Sequence, residues 1–331
     1  MPFIAWLTLG FTYLLMVWGN IVSSTGSGLA CPDWPLCHGT ITPPARPDII
    51  LEWGHRLLAA TTTTLILISL VWAWRLSRKS SGENPLGKAT LKRSLGSILG
   101  LLAIQIPLGG LTVYLGLSVI ASTVHLVIAH VVLGLIILLA CALTWKEGLA
   151  LPRTQPSLTK LSKYATMAVF GILIQIALGG LVRHSGFGLA CPLFPNCQPD
   201  SFFPTPFIAS TALAFLHRWW GVLLAVLFLL MAREGQRTMR GPLENIGNLP
   251  RLANATTVLV LLQIGLGVAT VFSALHTHMR ALHAAIGYGL FGLTFYIALR
   301  SGSFTWLWRK RSGVDPARST RLPTDGVWKA V

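Results

Sequence analysis

Acidic side chains are scarce in this chain of 331 residues: Asp and Glu together number ten, and only 11% of all positions are charged. A water-soluble domain carries about 25% charged residues, so a soluble globular class is excluded. Cysteine is sparse too, at five residues, too few for a small disulfide-built scaffold. What is abundant is apolar: 53% of the chain is hydrophobic. Apolar runs of about 20 residues each can cross a bilayer as a helix. Eight are predicted, at about 3–23, 51–74, 94–117, 122–145, 163–183, 211–231, 253–274 and 281–300. The fold class expected is an all-α polytopic membrane protein.

Basic residues are the exception to the shortage of charge, with 26 Lys and Arg and a net charge of +16. Their distribution excludes a nucleic-acid partner. All but Arg46, Arg56, Arg183, Arg218 and Arg280 fall in 75–93, 146–163, 232–252 and 300–331, the segments after every second span. That one-sided excess is the positive-inside signature, and it places both termini in the cytoplasm. The first span lacks a basic leader and exceeds a signal-peptide core, so it is read as retained.

The chain also repeats itself. Residues 21–37 read IVSSTGSGLACPDWPLC and 181–197 read LVRHSGFGLACPLFPNC, with QIPLGG at 105, QIALGG at 175 and QIGLGV at 263. Four spans per repeat is an even number, so the two halves share one orientation, a parallel repeat. The expectation is two four-helix bundles, 1–150 and 151–300, followed by a basic cytoplasmic tail over 301–331. The Gly-rich stretches read as close-packing segments. Cys31 with Cys37, and Cys191 with Cys197, lie in the long outer loops, where an oxidising compartment permits disulfides. The second pair reads as a loop staple; the first is open between a staple and an exchanging pair. Cys141 stands alone in a span and reads as inert core.

His55, His125, His217 and His283 occupy matching places in the two halves, near the outer starts of spans 2, 4, 6 and 8. Imidazole is costly in hydrocarbon, so intramembrane histidines are functional candidates. In an up-down bundle the second and fourth helices oppose each other across the centre. Two histidines at one depth on such helices suit axial ligation of a flat macrocycle, and haem iron is the most economical filling. His130 follows His125 by five residues, about 140° around the helix, and is the rival ligand on that span. His184, His276 and His278 read as surface groups or neighbours of haem propionates. His38 beside Cys37 lacks the company for a metal site. Glu52 lies one turn before His55, where the second half has Ala214. Either it handles protons or it pairs with Arg56. Arg56 and Arg218, each following a histidine, suit the carboxylates of haem.

GSGLACPDWPLCHG at 26–39, EWGHR at 52–56, VHL at 124–126, LHR at 216–218 and LHA at 282–284 together resemble the haem A synthase family, in its bacterial subgroup that carries the cysteine pair. The resemblance covers all eight spans. It implies oxidation of the C8 methyl of haem O to a formyl group by successive hydroxylations, giving haem A for respiratory oxidases in the bacterial cytoplasmic membrane. Glu52, His55 and His125 would then belong to the substrate half, while His217 and His283 ligate a haem b cofactor. Haem O synthase and an oxidase assembly factor are the implied partners; a homo-oligomer and the electron donor stay open. Ser23 departs from the Arg often found before TGSGL, whereas Arg183 holds that place in the second half. Two readings of other classes stand beside it. One is a non-catalytic di-haem b-type electron carrier or quinone-linked cytochrome. The other is a transporter, which the shortage of ionisable groups in the inner half opposes.

Overall fold

The computed structural model describes residues 2–79, 88–144, 156–239 and 248–304. In lipid a backbone must satisfy its own hydrogen bonds, which leaves an apolar run the choice of helix or closed barrel. Here every run is a helix: α1 Pro2–Ser24, α2 Pro47–Lys79, α3 Lys88–Tyr114, α4 Val119–Thr144, α5 Pro156–His184, α6 Ala209–Thr238, α7 Leu249–Phe272 and α8 Thr277–Arg300. All eight are long and apolar enough to cross a membrane. Several hydroxyls inside them are satisfied one turn back, as in Thr12 to the Thr8 carbonyl at 2.8 Å and Thr62 to that of Leu58 at 2.7 Å.

Two helices outrun the apolar stretches that announce them. The helical backbone of α2 continues through Arg75 to Lys79, and that of α6 through Arg233 to Thr238, into the basic segments that follow the second and sixth spans. Long cationic side chains tolerate this position because their heads reach polar surroundings. Arg78 stacks 4.0 Å over the ring of Trp74, and Arg237 pairs with Glu234 at 2.5 Å. Most of the basic tail, from 305 onward, lies outside the described residues.

Every helix packs on its successor, α1 also packs on α4, and α5 on α8. Contacts of α4 with α8 and of α1 with α8 join the first four helices to the last four beside the α4–α5 neighbourhood. Leu133, Ile136 and Leu139 of α4 are buried in one apolar cluster with Phe228 of α6 and with Phe291 and Ile297 of α8. Polar contacts cross the same seam. The Tyr13 hydroxyl donates to the Ala285 carbonyl at 3.0 Å, and Asn20 Nδ2 to that of Ala281 at 3.2 Å.

The cysteine pairs are disulfide-bonded, Cys31 to Cys37 and Cys191 to Cys197. Each long loop also rests on the short loop of its own half. The space where Gly28 lacks a Cβ is filled by Leu117, and Leu275 fills the equivalent space at Gly188. Leu117 and Leu275 both adopt the left-handed backbone region, at φ 61° and 63°, where side chains other than glycine are uncommon.

Candidate haem-ligating histidine pairs

Each of the four histidines sits against a glycine of the preceding helix. A Cβ added to Gly19 of α1 would lie 2.7 Å from Cε1 of His55, and one on Gly179 of α5 would lie 2.8 Å from that of His217. For Gly109 with His125, and Gly267 with His283, the distance is 3.2 Å. All four are inside ordinary van der Waals range, so the imidazoles occupy volume that any other residue would fill.

Three of the glycines follow a glutamine by four residues, on the same helical face. Those glutamines hold the backbone of the histidine helices. Nε2 of Gln105 donates to the His125 carbonyl at 3.0 Å, that of Gln175 to His217 at 3.0 Å, and that of Gln263 to His283 at 2.8 Å. α1 has Leu15 at the matching place, and there Trp18 Nε1 donates instead to the Leu51 carbonyl at 2.9 Å. The repeated Gln-x-x-x-Gly thus packs as the sequence suggested, and what it packs on is the histidines. Sequence reasoning missed that target, although the recurrence of one spacing on α3, α5 and α7 was a signal for it.

The imidazoles of His55 and His125 are neighbours, as are those of His217 and His283. The Nδ1 of His283 meets the Gln263 carbonyl at 3.1 Å. A carbonyl only accepts, so Nδ1 carries the hydrogen and Nε2 the lone pair, with the Gln263 amide nitrogen 3.4 Å from it. The Nδ1 atoms of His55, His125 and His217 are buried and unpartnered. Among the described residues no three metal-ligating side chains gather. The histidines come in twos, the number that a macrocycle held from both faces needs. Buried, cradled imidazoles with nitrogen to spare fit the axial ligation of haem iron.

Glu52 is 3% exposed and fully engaged. Arg56 donates to its Oε1 at 2.6 Å, and the Cys31 N–H to its Oε2 at 2.8 Å. Arg56 also donates to the carbonyls of Cys31 at 3.1 Å and Asp33 at 2.5 Å, and to that of Leu36. Arg218 does the same in the second half, reaching the carbonyls of Cys191 and Leu193. Both arginines therefore strap a disulfide loop to the start of a histidine helix. Only the first strap contains a carboxylate.

The remaining candidates are placed elsewhere. His130 is wholly buried, donates from Nδ1 to the Leu126 carbonyl at 2.8 Å, and stands edge-on to Tyr288 and Phe291 of α8. It faces the other half, not His125's partner. His276 and His278 lie together, their ring centroids 5.2 Å apart. His38 Nε2 is 3.0 Å from the Ala30 carbonyl, a loop contact. Nearby, the N–H of Gly39, and then that of His38, hold the Asp33 carboxyl below the usual carboxylate range. Cys141 is free and buried.

Comparison with known proteins identifies the family. The family model COX15-CtaA, described as cytochrome oxidase assembly protein, matches residues 3–295. The chain is 28% identical over 302 residues to the heme A synthase of Bacillus pumilus, covering 88% of this chain and 92% of the relative. It is 26% identical over 296 residues to that of Bacillus licheniformis, covering 86% and 90%. With that of Macrococcus caseolyticus the identity is 28% over 313 residues, covering 89% and 95%. The chain belongs to the COX15-CtaA family of cytochrome oxidase assembly proteins, among the heme A synthases.

Proposed function

We propose that this protein is a membrane haem oxidoreductase that converts haem O to haem A by oxidising the C8 methyl to a formyl group through successive hydroxylations. The observation that carries the reading is two cradled histidine pairs on one plan, of which only one has a carboxylate a turn away. His55 and His125 hold the substrate haem. His217 and His283 hold haem b, which supplies one-electron transfer when bound. The substrate half spans 1–150 and the cofactor half 151–300, with both termini on the cytoplasmic side of the bacterial inner membrane.

The protein's own contribution is positioning and charge. Glycines set the depth and tilt of each imidazole, and glutamines anchor the helix that carries it. Methyl oxidation moves protons as well as electrons, and a carboxylate held by Arg56 and the Cys31 N–H is placed to hold or pass one. Ala214 offers nothing of the kind beside the other pair.

The test is expression of the chain in membranes supplied with haem O, followed by identification of the extracted haems by mass. Haem A is expected. Recovery of haem O and haem b alone would make the protein an electron carrier. Replacing His217 or His283 with Ala should abolish the low-spin bis-histidine spectrum of the cofactor, and its survival in both variants would overturn the ligand assignment.

A further inference from the structure

One turn toward the cysteine loops from each histidine pair, the two halves differ in charge. Three residues before the histidines stand Glu52 and Ser122 in the first half, Ala214 and Arg280 in the second. Four residues after Gly19 and Gly179, the glycines that cradle His55 and His217, stand Ser23 and Arg183. The first rim thus holds two serines and a carboxylate already neutralised by Arg56. The second holds two arginines and no acid.

Those arginines converge. Arg183 donates to Asn20 Oδ1, to the Asn20 carbonyl at 3.0 Å and to Ser24 Oγ at 2.8 Å. Arg280 donates to the Ser24 carbonyl at 2.6 Å, and its Nε is buried without a partner. Both guanidiniums therefore meet at one residue, Ser24, and every one of these partners is neutral. The carboxylates in ion pairs among the described residues are Asp48, Glu52 and Glu234, none of them with Arg183 or Arg280. The C-terminal end of α1 offers only the partial negative charge of its carbonyls. Two cations side by side at a half-buried rim, with no acid beside them, call for an anion. A guanidinium has five N–H groups, so Arg183 keeps donors beyond the three bonds named.

Building on the assignment of His217 and His283 to haem b, we propose that Arg183 and Arg280 form a carboxylate clamp that takes a propionate of that haem. Ser23 and Ser122 at the matching places leave the first site without a clamp. The difference suits the two occupants: a cofactor must stay, whereas a substrate must enter and its product must leave. Arg218, the sequence-based candidate for this role, is occupied with loop carbonyls.

The clamp is tested on the full-length, haem-loaded protein by following haem transfer to excess apomyoglobin. R183Q and R280Q should keep the low-spin bis-histidine spectrum yet release that haem roughly 10-fold faster or more, the scale of one lost charge-assisted hydrogen bond. Release at the unsubstituted rate in both variants overturns the clamp. Reloading the unsubstituted protein with protohaem or with its dimethyl ester needs no variant to fold. The ester should be held more weakly by a similar factor, and equal retention overturns the proposal. The reverse change, S122R, should slow haem release from the first site; unchanged release there overturns the explanation of the asymmetry. A spectrum that is indifferent to His217 and His283 would instead strike the haem b assignment, so the two failures are distinguishable.

Discussion

Glu52 bears on turnover more than on assembly. It is buried, it lies one turn from His55, and the duplicated half does without it at Ala214. A carboxylate needed only for packing would have a counterpart wherever the loop strap recurs. Arg218 straps its loop with no acid at all. Glu52→Gln keeps the shape and an acceptor for the Cys31 N–H while removing the charge and the exchangeable proton. This variant should fold and keep the haem b spectrum, while haem A formation falls by about 10²–10⁴-fold, the range typical of general acid–base groups. Haem extraction and mass analysis check it. Near-normal haem A yield would reduce Glu52 to a structural partner of Arg56.

At the scale of helices, the working unit is a glycine facing a histidine. Alanine in place of glycine gains up to about 1 kcal/mol of helix propensity, whereas overpacking a filled site costs about 1–3 kcal/mol. Distance decides between them. At Gly179 the added carbon would sit 2.8 Å from His217, and at Gly267 it would sit 3.2 Å from His283. Gly179→Ala should displace its imidazole and broaden or abolish the bis-histidine spectrum, while Gly267→Ala should cost little; absorption spectra of the two purified variants give the comparison. Equal spectra would remove glycine from the design of the site. The spans, the cysteine pairs and the register of the histidines are legible in the sequence because hydropathy and duplication are properties of the string. Pairing of Gly179 with His217 is not, since it depends on how α5 meets α6. Nor are the contacts of Arg56 and Arg218, which sequence spacing offered to haem carboxylates and which the fold sets against carbonyls of the neighbouring loop, with Glu52 beside Arg56. The helical extensions to Lys79 and Thr238 escaped because polar residues end an apolar run without ending a helix.

Over the whole molecule, duplication does not make two independent units. α1 gives its last turn to Arg183 and Arg280 of the second half, and Tyr13 and Asn20 reach α8. His130 of α4 is enclosed by Tyr288 and Phe291, at ring distances of 4.8 and 5.3 Å. Separated, the first half would turn Asn20, Ser24 and His130 toward lipid, and the second would expose two arginines there. Polar groups facing hydrocarbon are expensive, and charged ones more so. Residues 1–150 and 151–331 expressed apart should each accumulate poorly and show no bis-histidine spectrum. Expressed together, they should recover both the protein and its haem b, because the seam is built from helix–helix contacts that do not need the connecting segment. Quantifying both fragments and the haem spectrum in membranes decides it. A second half that bound haem b alone would mean that the cross-contacts at Asn20 and Ser24 are dispensable, and that each bundle stands by itself.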